Sequence, residues 1–251
     1  MESIKGFNTL LEDTIKKNWD KDALTDYKGA TLQYHDVARK IEKLHILFEH
    51  SGIKKGDKIA LCGRNSSMWA AAFLATLTYG AIAVPIQHEF TPGQIYNIVN
   101  HSEARLLFVG DVVNTQIDPE QMPALEGIVY IPDYSLVISR SEELTYAREN
   151  LNALYGKKYP KFFHQEHVCY YNAKPDDICM INYTSGTTGF SKGVILSYRV
   201  MSSNMEWAFQ NIKPNVKEGS NVLSMLPMAH MYGLTCEFLT SFILGLHLFF
   251  L

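Results

Sequence analysis

The chain is 251 residues long, 47% apolar and 12% aromatic, enough to bury a sizeable core in one large or two small domains. A formal charge of −3, from 23 basic against 26 acidic residues, gives no basic field of the kind nucleic acids require, so nucleic acid is not an expected partner. The four cysteines (Cys62, Cys169, Cys179, Cys236) form no C-x-x-C pair, and the amino terminus lacks a basic region followed by an apolar one, which together point to a reduced, cytoplasmic protein.

In chain order, Ile4, Phe7, Leu10, Leu11, Thr14 and Ile15 recur at three- and four-residue intervals and predict a packing helix over 3–18. ALTDY and TLQY flank Lys28-Gly29 and read as a β-hairpin. An amphipathic helix follows over 35–51, with Gly52 as its stop. KIALC (58–62), AIAVPI (81–86) and RLLFVG (105–110) read as short buried strands. Between them lie an alanine-rich crossover helix over 67–80 and a helix over 91–102 that opens on a Thr cap and Pro92. Strand alternating with helix implies an α/β fold with a mostly parallel sheet covered on both faces.

Five prolines (Pro119, Pro123, Pro132, Pro160, Pro175) punctuate residues 111–175, predicting loops, one strand near GIVYI and a helix around 141–154. His164 and His167 in HQEH lack the spacing of a zinc-protease helix and read as surface histidines. VILS and residues 198–212 then read as a strand and a helix, and NVLSMLPMAHMYG (221–233) as a strand ending at Pro227. The last stretch, 233–251, is interrupted by Glu237 and His247, and the run between them, 238–246, is nine residues. A membrane span needs roughly 20, so this is a buried helix passing into a buried strand. There is no internal repeat and no low-complexity segment.

The sharpest feature is YTSGTTGFSKGV, residues 183–194, where the apolar run Ile178, Cys179, Met180, Ile181 breaks into glycines and hydroxylated side chains. Gly186, Gly189 and Gly193 permit unusual backbone conformations and let main-chain N–H groups close around an anion. Thr184, Ser185, Thr187, Thr188 and Ser191 add hydroxyl donors, and Lys192 a mobile positive charge suited to phosphate. A Gly/Ser/Thr cluster between strands is more often a plain hairpin loop, but the order here is specific. It is not a nucleoside-triphosphatase P-loop, because no hydroxyl follows Lys192, and no dinucleotide G-x-G-x-x-G is present.

The stretch resembles the signature YTSGTTGxPKGV of the adenylate-forming superfamily, which includes acyl-CoA synthetases, luciferases and peptide-synthetase adenylation domains. Ser191 stands where that signature has proline, which frees φ there and loosens the loop. LPMAH resembles the second core motif of the long-chain acyl-CoA synthetase branch. The resemblance covers residues 24–251.

It implies that Thr184, Ser185, Gly186, Thr187, Thr188, Gly189 and Lys192 bind ATP phosphates, that Thr184 contacts Mg2+, and that His230 sits beside the acyl carboxylate. A lone histidine capping a helix is the bland reading of His230. The implied chemistry is attack of a fatty-acid carboxylate on the α-phosphorus of ATP, giving acyl-AMP and pyrophosphate, then displacement of AMP by coenzyme A. The implied layout is a first α/β subdomain over 1–175 and the start of a second over 176–251, with the carboxy-terminal lid domain absent. The 251-residue chain alone is therefore expected to be inactive. A peripheral membrane contact and a dimer are compatible with the resemblance. The alternatives are a naturally short, non-catalytic nucleotide- or acyl-binding protein, and an adenylating enzyme for a different carboxylic acid. An unrelated ATP hydrolase or kinase fails on motif order.

Overall fold

A computed structural model describes residues 5–184, 192–217 and 219–251. The first helix, α1 (Phe7–Lys17), buries Phe7, Leu11, Thr14 and Ile15 as the spacing requires. Strands β1 (Asp22–Asp26) and β2 (Thr31–Gln33) form the expected hairpin, except that Tyr34 already belongs to the next helix. That helix, α2 (Tyr34–His50), stops just before Gly52. Then come β3 (Lys58–Cys62), α3 (Ser67–Tyr79), β4 (Ile82–Ile86), α4 (Pro92–Ser102) and β5 (Ala104–Val109), within a residue of their sequence boundaries.

Beyond β5 the chain follows the short α5 (Asp111–Asn114), β6 (Gly127–Tyr130), β7 (Leu136–Ser139), α6 (Glu142–Glu149) and α7 (Leu151–Lys158). Strand β7 is an addition to the sequence reading, and the single helix expected around 141–154 is two, parted at Asn150. The final third carries β8 (Ile178–Thr184), β9 (Lys192–Ser197), α8 (Tyr198–Asn211) and β10 (Asn221–Ser224). It ends with a π-helical segment at Gly233–Leu239, α9 (Thr240–Ile243) and β11 (His247–Phe250). Strand β10 ends at Ser224, three residues short of Pro227. The apolar stretch 233–251 is a buried helix leading into a strand, and no helix among the described residues is long and apolar enough to cross a membrane.

Among the described residues the strands form two sheets. The larger runs β7-β6-β5-β3-β4-β8-β9, parallel through its five central strands and antiparallel at both edges. The chain leaves β3 toward β4 through α3, then returns across it to β5 through α4. Right-handed crossovers in opposite directions place α3 and α4 on opposite faces. The core accordingly divides in two, with Ile59 and Leu61 packed among residues of α2 and α3, and Ala60 and Cys62 among residues of α4. Helix α3 is buried all round, which its alanines permit.

The smaller sheet runs β10-β11-β1-β2, so residues 22–33 pair beside 247–250. Neither sheet is confined to one side of residue 175, the boundary expected between subdomains. Strands β8 and β9 complete the larger sheet, and β10 and β11 join β1.

Candidate active site

In open α/β sheets, ligands bind beyond the carboxyl ends of the parallel strands, where crossovers diverge. Here those ends carry Cys62 on β3, Ile86 on β4, Val109 on β5 and Thr184 on β8. The hydroxyl- and glycine-rich stretch springs from this edge as the connection between β8 and β9. Thr184 and Lys192 are direct cross-strand partners at its mouth. Both are exposed, and no described residue bonds either side chain. A hydroxyl and an ammonium group on one face of the hairpin, neither bonded among the described residues, fit a bound polyphosphate and its cation. Ser185, Gly186, Thr187, Thr188, Gly189 and Ser191 lie outside the described residues.

Strand β8 is anchored on both faces. Tyr183 is buried, and its hydroxyl lies 2.7 Å from His101 Nδ1 on α4, with the two rings edge to face. Gly193 opposite it has ordinary strand backbone, so the left-handed conformation expected of this glycine is not used. Its lack of a side chain serves packing instead: a Cβ would meet Ile181 Cγ2 at 2.9 Å and Tyr183 Cζ at 3.1 Å. Asn182 and Thr184 project from the other face of the strand. Asn182 is buried, and its Nδ2 donates to the Ala229 carbonyl at 3.2 Å.

That hydrogen bond ties the turn carrying His230 to β8. The turn is held from two further sides. Asn65, in the loop after β3, donates to the Leu226 carbonyl at 2.8 Å and accepts from the Met228 amide at 2.8 Å. Glu237 Oε2, from the π-helical segment, accepts from the Met225 amide at 2.9 Å, the Leu226 amide at 3.0 Å and Ser224 Oγ at 3.3 Å. Gly233 lets the segment close onto the turn, since a Cβ there would meet the Pro227 carbonyl oxygen at 2.5 Å. Single π-turns of this kind are rare and cluster at functional sites.

His230 itself is exposed. Its Nδ1 accepts from the Tyr232 amide at 3.3 Å and its carbonyl from the Leu234 amide at 2.9 Å, so it does cap the segment that follows. With Nδ1 accepting, a neutral ring carries its proton on Nε2, which no described residue engages. The capping reading and an outward-facing donor are therefore compatible in one side chain.

Sequence reasoning singled out Thr184, Lys192 and His230 as candidates but not Asn65, Asn182 and Glu237, the three side chains that hold the His230 turn. Asn182 could have been flagged as a polar residue inside an apolar strand. Glu237 served only as an argument against a membrane span, although an acid in an apolar run needs a reason to be there. Asn65 carried no signal.

A mostly parallel sheet covered by helices on both faces defines a layered α/β fold, and its structural neighbours are N-terminal domains of adenylate-forming enzymes. The inhibitor-bound N-terminal domain of FACL13 from Mycobacterium tuberculosis superposes with a TM-score of 0.75 at 22% identity, covering 98% of this chain and 57% of that one. The anthranilate CoA ligase AuaEII in complex with anthranoyl-AMP gives 0.78 at 20%, covering 99% and 45%. The model of the AMP-binding enzyme family matches residues 11–251, and the chain belongs to that family.

Among curated relatives, the long-chain-fatty-acid–CoA ligase of Bacillus subtilis is 26% identical over 270 residues, covering 98% of this chain and 46% of its own length. The long chain acyl-CoA synthetase 3 of Arabidopsis thaliana is 27% identical over 207 residues, covering 81% and 31%. The chain thus spans less than half the length of these relatives.

Proposed function

We propose that this chain is the N-terminal part of a ligase that activates a long-chain fatty acid with ATP to acyl-AMP and transfers the acyl group to coenzyme A, releasing AMP and pyrophosphate. The observation that carries the reading is the β8–β9 hairpin, which sets Thr184 directly opposite Lys192 at the carboxyl edge of the sheet. Ser185, Gly186, Thr187, Thr188 and Gly189 complete the loop that holds the β- and γ-phosphates, as the signature implies. Mg2+ would neutralise charge on the departing pyrophosphate, and Thr184 is the residue here that would hold it.

The chain's own residues do little covalent chemistry. Their work is to position reactants and meet charge as it develops. Lys192 meets the phosphate charge, and His230 Nε2–H donates to the acyl carboxylate. Asn65, Asn182 and Glu237 keep the His230 turn rigid, so that its donor needs no rearrangement when substrate arrives. The four free cysteines support a cytoplasmic location.

A second reading, adenylation of a different carboxylic acid, is favoured by the fold shared with an anthranilate CoA ligase. The test is product analysis in the full-length parent with a panel of acids from aryl to long-chain. Long-chain acyl-CoA formed with AMP supports the first reading, and aryl-CoA with AMP the second. Release of ADP contradicts both.

A further inference from the structure

Thr184 and Lys192 are the last described pair of the β8–β9 hairpin, and Tyr183 with Gly193 is the pair before it. The Tyr183 ring lies across Gly193, so closely that a Cβ there would meet its Cζ at 3.1 Å and its Cε1 at 3.3 Å. One ring therefore sets both strands at the mouth of the loop. The ring in turn is held by His101, in the last turn of α4, whose Nδ1 lies 2.7 Å from the Tyr183 hydroxyl with the two rings edge to face. Among the described residues neither side chain has another hydrogen-bond partner.

Helix α4 is a fixed post for this contact. Its start is closed by a capping box, in which Gln94 Oε1 accepts from the Thr91 amide at 2.9 Å. Ile95, Ile98 and Val99 are buried in the core. Tyr96 Oη accepts from the Asp118 amide at 2.6 Å, and Asn100 Nδ2 donates to the Gln121 carbonyl at 2.9 Å. A helix held along its length cannot follow the strand if the strand shifts. Asn182 and Tyr183, just before Thr184, thus pin β8 from opposite faces, because successive strand side chains alternate. The Asn182 bond leads to the His230 turn, whereas the Tyr183 bond leads only to α4.

We propose that His101 is a positioning residue for ATP: acting through Tyr183, it holds the mouth of the phosphate loop where Thr184 and Lys192 are needed. The inference rests on the reading of that loop as an ATP site. A neutral imidazole accepts from the phenol at Nδ1, and no proton is transferred. Without this contact the two strand ends are ordered only when ATP arrives, and the ordering cost falls on ATP and not on the acid.

The test is acid-dependent exchange of labelled pyrophosphate into ATP in the full-length parent, with KM measured separately for ATP and for the acid. His101→Leu and Tyr183→Phe should each raise KM for ATP about three- to tenfold, the range of one neutral hydrogen bond, and leave KM for the acid unchanged. The double variant should be no worse than the more affected single one, since both remove the same bond. His101→Asn, which keeps an acceptor at the same number of bonds from the backbone as Nδ1, should recover most of the loss. In the chain itself, hydrogen exchange gives a readout free of activity: His101→Leu should speed exchange at Tyr183, Thr184, Lys192 and Gly193 while leaving β3 and β5 unchanged. A contact that only stabilises the fold would lower the melting temperature and leave both KM values as in the wild type, and that result would overturn the proposal. Unaltered KM for ATP in His101→Leu, in a parent that does exchange, removes this inference alone. A wild-type parent that exchanges with no acid removes the reading of the loop, and this inference with it.

Discussion

Glu237 is the residue whose removal tests the architecture of the His230 turn. One of its carboxylate oxygens accepts two backbone amides and a hydroxyl, at 2.9, 3.0 and 3.3 Å. Hydrogen bonds to a charged acceptor contribute about 1.5–3 kcal/mol each when fully buried. Met225 and Leu226 are exposed, so water can replace part of what is lost. Glu237→Ala should therefore destabilise by about 2–3 kcal/mol rather than the full sum, lowering the melting temperature by roughly 4–12 °C in a chain of this size. Glu237→Gln keeps an acceptor oxygen and should cost about 1 kcal/mol. Urea unfolding gives the energies, and native-state hydrogen exchange locates them: protection of the Met225 and Leu226 amides should fall while that of β3 and β5 is unchanged. In the full-length parent, KM for the acid should rise more than KM for ATP, because the turn carries His230 and not the phosphate loop. If Glu237→Ala melts with the wild type and exchanges its 225 and 226 amides at the same rate, the carboxylate does not hold the turn.

Two further outcomes follow from buried groups. Burial lowers the His45 pKa to about 3, despite a hydrogen bond to the Ala75 carbonyl that works the other way and with nearby Lys158 adding to the fall. The folded value lies below the unfolded one near 6.5, so the unfolded chain takes up the proton first, and stability drops as pH falls from about 6.5 toward 3. His45→Gln should remove up to about 1.4 kcal/mol per pH unit from that slope in urea unfolding between neutrality and acid, and an unchanged slope would refute the assignment. Gly193→Ala should destabilise by about 1–3 kcal/mol through overpacking against Tyr183, with the Tyr183–His101 contact displaced; an unchanged unfolding midpoint would show the strand yields without cost.

Much of this fold was legible because the elements that build it have strong local signals. The helix from Pro92 carries its Thr91 cap, and the strands from Lys58 and Ile82 are short apolar runs with an alanine-rich helix between them. Strand β7 was not legible: it is four partly exposed residues following a Pro-Asp turn, and it exists because β6 offers it an edge. The stretch around 141–154 read as one helix because the break at Asn150 carries neither proline nor glycine. The pairing of β1 with β11 joins positions more than two hundred residues apart, a contact no local pattern encodes. At the site, Thr184, Lys192 and His230 announced themselves through an ordered motif. Asn65, Asn182 and Glu237 did not, because their function is to bind backbone groups of a turn whose position only the fold reveals.

The central claim is that the loop between Thr184 and Lys192 serves ATP in acid activation. Fatty-acid-dependent exchange of labelled pyrophosphate into ATP, in the full-length parent, tests it most directly. Lys192→Ala and Thr184→Ala should lower kcat/KM for ATP on the order of ten- to a hundredfold at unchanged unfolding midpoints, each losing one charge-assisted contact. The Thr184→Ala defect should shrink as magnesium is raised, and Gly186→Val should be the most severe of the three. Exchange in all three variants equal to that of the wild type, at equal stability, would reduce the stretch to a hairpin loop and contradict the account.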